Sequence, residues 1–158
     1  MKHWAEQILE YFDHYQIPEA HVAQLRAWLE RAKSSAENQP ESQINFQDPN
    51  ANRCTLLHLS VKYGVRVLVE KLLTLGADPL IKNDLLQTPL HLFHCSNSSM
   101  SDKITMIQIL NQAANNLHYV NEQDQLGNPA FFYADTPELL KYFFTLGANP
   151  LLTNALDE

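Results

Sequence analysis

The chain has 158 residues, of which 45% are hydrophobic, with four glycines, two cysteines and a formal charge of −7. Average usage would supply about 11 glycines, and Gly64, Gly76, Gly127 and Gly147 lie too far apart for the short-spaced glycines that let a backbone cradle phosphate. Dinucleotide and phosphate-loop fingerprints are therefore excluded, and the acidic excess opposes the counterion release behind most nucleic-acid affinity, so no nucleic-acid partner is expected.

From the N-terminus, Trp4, Ile8, Phe12 and Tyr15 recur near every fourth position, and Val22, Leu25, Trp28 or Leu29, and Ala32 do so again after Ile17-Pro18-Glu19. This pattern predicts an amphipathic helical hairpin over residues 1–35, with Trp4 and Trp28 capping whatever follows, or else a separate docking element on a tether. The stretch from Lys33 to Gln43 has no large apolar side chain and predicts a polar connector at 36–43. No window approaches the ~18 apolar residues of a membrane span, and no apolar leader follows Met1. A soluble, cytoplasmic chain is the expectation. Cys54 and Cys95 lack CxxC spacing and are too few for a disulfide framework, so reduced thiols are expected.

Beyond residue 43 the chain repeats itself. Thr55-Leu56-Leu57-His58-Leu59 returns as Thr88-Pro89-Leu90-His91-Leu92, and Thr74-Leu75-Gly76-Ala77-Asp78-Pro79-Leu80 returns as Thr145-Leu146-Gly147-Ala148-Asn149-Pro150-Leu151. The first shift is 33 residues, and the second pair differs only by Asp78 against Asn149. These segments resemble the ankyrin repeat, whose unit has this period, a T-P-L-H start to its first helix and a G-A-D turn after its second.

The resemblance implies an all-α solenoid over residues 44–158, in three units near 44–80, 81–117 and 118–154, each a helix pair with a protruding finger loop. In the second unit Ser96 to Lys103 is expected to lengthen the inter-helix turn, with Asn97 in the left-handed conformation usually given to glycine. The third unit replaces both Thr and His of the motif, and Thr136-Pro137-Glu138 predicts the start of its second helix. Leu57, Leu68, Leu72, Leu73, Leu90, Ile104, Ile107, Leu110, Phe131, Leu139, Phe143 and Phe144 are the expected core.

Function in such a stack is carried by loop tips and the exposed face of the first helices. The resemblance implies a non-catalytic protein that binds another protein. The expected contact residues are Asn52, Arg53, Lys62 and Tyr63 in the first unit, and Asp84, Leu85, Leu86, Gln87, Cys95 and Ser96 in the second. In the third they are Tyr119, Gln123, Asp124, Gln125 and Leu126, with Tyr142 on the last helix. The family would place a glycine near Leu86, and Leu85 and Leu86 are either tucked against a neighbouring loop or exposed as an anchor. At the family level, stand-alone chains of this kind include bacterial effectors delivered into a host cytosol and inhibitors or regulators of a cognate protein.

Two other functions compete. His91, His94 and Cys95 suggest a thiol- or metal-dependent enzyme, but zinc needs three or four converging ligands, and helical spacing leaves only His91 beside Cys95 as a base. The resemblance instead implies that His58 and His91 bond the backbone of the neighbouring loop. No metal or cofactor is expected. An oligomerisation module is the other alternative, with a monomer or weak homo-oligomer expected in solution.

Overall fold

A computed structural model describes residues 3–35 and 43–157. The expected connector at 36–43 lies outside the described residues except for Gln43, which opens a short 3-10 turn, Gln43–Asn45. Among the described residues there is no β-strand, only isolated antiparallel bridges at Asp48–Cys54 and Gln123–Pro129.

The N-terminal pattern folds as α1 (Trp4–His14) and α2 (Glu19–Ser35). Gln16 takes a left-handed φ of 46° between them, and the Pro18 carbonyl accepts from the His21 and Val22 amides to begin α2. The stripe positions Ile8, Phe12, Val22, Leu25, Trp28, Leu29 and Ala32 are buried and Trp4 is half-buried, whereas Tyr15, at the end of α1, is 44% exposed. The hairpin packs onto the first unit. The Trp28 indole donates to the Cys54 carbonyl at 3.0 Å, Trp4 meets Trp28 edge-on, and Arg31 Nε donates to the buried Asp48 carboxylate at 2.7 Å.

In the first unit Thr55 caps α3 (Leu56–Lys62), and α4 (Arg66–Thr74) returns antiparallel to it. The repeated G-A turn is the cap of the second helix. Gly76 and Gly147 hold φ near 92° and 94°, and the amides of Ala77 and Ala148 reach back to the carbonyls of Leu72 and Phe143. This is the left-handed closure that glycine performs without steric cost. Nothing stands within 4 Å of a Cβ built on either glycine, so backbone conformation alone fixes the residue.

The second unit departs from the standard pattern. Pro89–Cys95 winds as a 3-10 helix, and α5 (Met100–Ala114) begins inside the expected insertion. Ser99 caps α5 by accepting from the Asp102 amide at 3.1 Å, so the inter-helix turn spans only 96–99. Asn97 is not left-handed. Asn115 is, at φ 46°, because it ends α5. In the third unit the first helix is a single 3-10 turn, Ala130–Tyr133, and Thr136 caps α6 (Pro137–Thr145) through the Leu139 amide.

The expected core is buried at nine positions, and each buried leucine contributes about 1.5–3 kcal/mol. Leu73 and Ile104 are half-buried, and Phe144 is 42% exposed. Phe143 takes the inward slot against Phe93, with ring centroids 5.4 Å apart. Its immediate neighbour on the helix is thereby turned about 100° away.

Candidate partner-binding surface

Three loops project in series from the stack: 48–54, 83–87 and 124–128. Each starts with an Asx residue that folds the tip on itself, as expected where a short carboxylate or amide can satisfy local amides. Asp48 Oδ1 accepts from the Asn50 amide. Asn83 Oδ1 accepts from the Leu85 and Gln87 amides at 3.0 Å each. Asp124 Oδ1 accepts from those of Leu126 and Asn128 at 2.9 and 3.0 Å. The same turn appears again at Asn154, whose side chain accepts from the Leu156 amide.

Backbone bonds join each finger to the next. The Asp84 amide donates to the Asn52 carbonyl at 2.9 Å, Gln125 to Leu85 at 2.9 Å, and Ala155 to Leu126 at 2.8 Å. A second row comes from side chains: Gln47 donates to the Lys82 carbonyl at 2.8 Å, and Gln123 to that of Thr153 at 3.0 Å. The fingers therefore form one continuous surface.

Histidines lock the first two joints from below. His58 and His91 are fully buried. Their Nε2 atoms lie 2.9 Å from the Gln87 carbonyl and 3.2 Å from that of Asn128. A carbonyl can only accept, so Nε2 carries the proton and Nδ1 accepts from the Thr55 or Thr88 amide. Burial pushes the His58 pKa down to about 4 and lowers that of His91, which keeps both rings neutral. The role implied for the motif histidine is thus the one they perform.

The expected contact residues divide by burial. Asn52, Arg53, Asp84 and Gln125 are exposed on the fingers, and so are Leu85 at 44%, Leu86 at 51% and Leu126 at 60%. Leu86 holds a left-handed φ of 57° at the position Gly127 fills in the next finger, which matches the glycine expected there. Ser96, Tyr119 and Asp124 are buried, and as surface contacts these three are corrected. Tyr119 donates to the Pro79 carbonyl at 3.0 Å inside the core, and Ser96 bonds the Phe93 carbonyl. Asp124 holds its finger together and accepts from Tyr133. Gln87 and Gln123 are half-buried and spent on loop structure. Tyr142 is half-buried against the core rather than facing outward.

Lys62, Tyr63 and Cys95 lie elsewhere, on a groove of about 630 Å³ between the hairpin turn and the inter-helix corners of the first two units. Tyr63 stacks on His21 there, with centroids 4.5 Å apart. Sequence reasoning missed Leu156, 76% exposed. The signal was present, since Asn154-Ala155-Leu156 repeats the offsets of Asn83-Asp84-Leu85.

The thiol alternative takes a different geometry from the expected one. His91 turns inward, and the exposed Cys95 lies 3.5 Å from His94 Nε2 instead. The α-helical spacing behind the His91 expectation does not apply to a 3-10 segment. Burial pushes the Cys95 pKa up, opposite to the activation a nucleophilic thiol needs. His94 Nδ1 is spent on the His91 carbonyl, and its ring stacks on Tyr133. Among the described residues no three His, Cys, Asp or Glu side chains are grouped to hold a metal ion, and no helix is long and apolar enough to cross a membrane.

A stack of helix pairs whose loop tips are bonded in series, each pair burying the next, defines a repeat solenoid. Residues 52–84 match the family model of the ankyrin repeat. The chain carries an ankyrin repeat, a module that generally binds other proteins, and its described residues are all-helical, consistent with an ankyrin-repeat fold. No curated protein matches the chain.

Proposed function

We propose that this is a non-catalytic protein-binding module that receives its partner on the finger row, as a regulator or inhibitor of that partner, in a reducing cytoplasm. The observation that carries the reading is the exposed leucine pair at the tip of the second finger. Leu86 occupies a left-handed conformation that costs a leucine about 1 kcal/mol and a glycine nothing. Strain of this kind is characteristic of sites where the side chain has a use outside the fold. Two free thiols, Cys54 and Cys95, support the compartment.

The test uses the full chain as bait in extracts of its native cell, beside the double variant Leu85→Asp with Leu86→Asp. The expected result is a partner bound stoichiometrically by the parent and lost by the variant, with Tm within a few degrees. Equal capture by both would move the binding surface off the fingers. A large fall in Tm would show the leucines to be part of the core.

A further inference from the structure

The Asx turns of the second and third fingers and the turn at Asn154 place a leucine at the same point, two residues after the Asx: Leu85, Leu126 and Leu156. All three are substantially exposed, at 44, 60 and 76%. Because each turn is closed by the same side-chain bond and each finger is bonded to the next, the leucines stand in one row with the period of the stack. That period is ~10 Å, the spacing of packed helices and of two hydrogen-bonded extended limbs per finger.

An α-helix advances about 10.5 Å in seven residues, so one apolar side chain per heptad matches the row. An extended strand would bring a same-face side chain every ~6.8 Å and fall out of step after one finger. The exposed charged groups on the finger tips are Arg53 on the first finger and Asp84 and Asp157 beside the leucines, on a chain of net charge −7. We infer that the partner element is an amphipathic α-helix laid along the finger row, with apolar residues near i, i+7 and i+14 and lysine or arginine flanking them. This rests on the finger row being the binding surface, and it adds what kind of element binds there.

The inference is tested with three fluorescent 21-residue peptides of identical composition, one with leucine at every seventh position among Lys, Gln and Ala, one scrambled, and one with leucines alternating. Against the full chain, the heptad peptide is expected to bind at least tenfold tighter than the scrambled one and to gain helical circular dichroism on binding. Leu85→Gln and Leu126→Gln should each weaken it severalfold with Tm unchanged. Raising the salt should weaken all three peptides in common without abolishing the preference.

Equal binding of the heptad and scrambled peptides, with charge as the only attraction, would overturn the inference. Tighter binding of the alternating peptide would also overturn it, in favour of an extended ligand. Either result leaves the finger row standing as a binding surface. That broader reading fails separately, when the Leu85 and Leu86 double variant captures the native partner as well as the parent does.

Discussion

Two of the joints between neighbouring fingers are tied by a histidine, and the next is not. At the first and second joints a buried, neutral imidazole spans from a threonine cap to the carbonyl of the following loop. In the third unit the equivalent position, three residues after the cap Pro129, is the half-buried Phe132, whose ring packs on Phe131 with centroids 5.2 Å apart. There the next loop is held by the Gln123 side chain donating to the Thr153 carbonyl and the Ala155 amide donating to that of Leu126. One stack thus uses two ways to hold a loop. The polar tie is directional but needs an uncharged ring in the interior, whereas ring packing is indifferent to protons.

The largest expected effect separates the two modes directly. His58→Ala leaves the Thr55 amide and the Gln87 carbonyl unpaired beside a new cavity, and should cost about 3–4 kcal/mol in urea unfolding. Phe132→Ala, at the equivalent half-buried position, should cost about 2 kcal/mol through lost packing alone. If His58→Ala costs under about 1 kcal/mol, the tie is not what holds the first joint.

Acid should then distinguish the joints at the scale of ~3 kcal/mol. A His58 pKa near 4 in the fold, against an ordinary value of 6.5, means that the unfolded chain takes up the proton first. Its stabilisation is complete above about pH 6.5 and is lost as the pH falls through 4. His91 adds a loss of the same sign. Unfolding free energy followed from pH 7 to 4 should fall in the parent and in Phe132→Leu, and should fall less in His58→Leu. A slope unchanged by His58→Leu would assign the acid sensitivity to other groups.

These two joints also show what sequence could and could not reveal. The recurrence of Thr-x-Leu-His and of Gly-Ala-Asx-Pro marks the fold, because both motifs act locally: a threonine caps the turn that follows it, and a glycine closes the helix before it. The 3-10 winding of Pro89–Cys95 was not legible, since no residue there forbids an α-helix beyond its first turn. Tyr119 and Asp124 looked like finger surface because polar groups near loops usually are. Their burial depends on partners 40 and 9 residues away, Pro79 and Tyr133, which no local pattern announces. Leu86 could be read, because its neighbour in register is Gly127.

Smaller effects sharpen the contrast at the capped end of the stack. Arg31→Ala should destabilise by about 1–3 kcal/mol, because the Asp48 carboxylate is fully buried while Arg31 remains one-third exposed. Differential scanning calorimetry would record this as a single shifted transition if hairpin and repeats unfold together. Two transitions would show the hairpin to be an independent element. Smallest of all is Leu86→Gly, where relief of the left-handed strain and the added freedom of the unfolded chain nearly cancel, leaving under about 1 kcal/mol. Tm should not fall, although partner binding should.

On the proposed function, the bonded finger row is what a partner covers. Hydrogen–deuterium exchange of the full chain, with and without the captured partner, tests it most directly. The predicted footprint is added protection over residues 83–87 and 124–128, with the 96–99 corner and Tyr63 unchanged. Protection confined to that corner and the groove beside it, with the fingers exchanging as before, would contradict the claim.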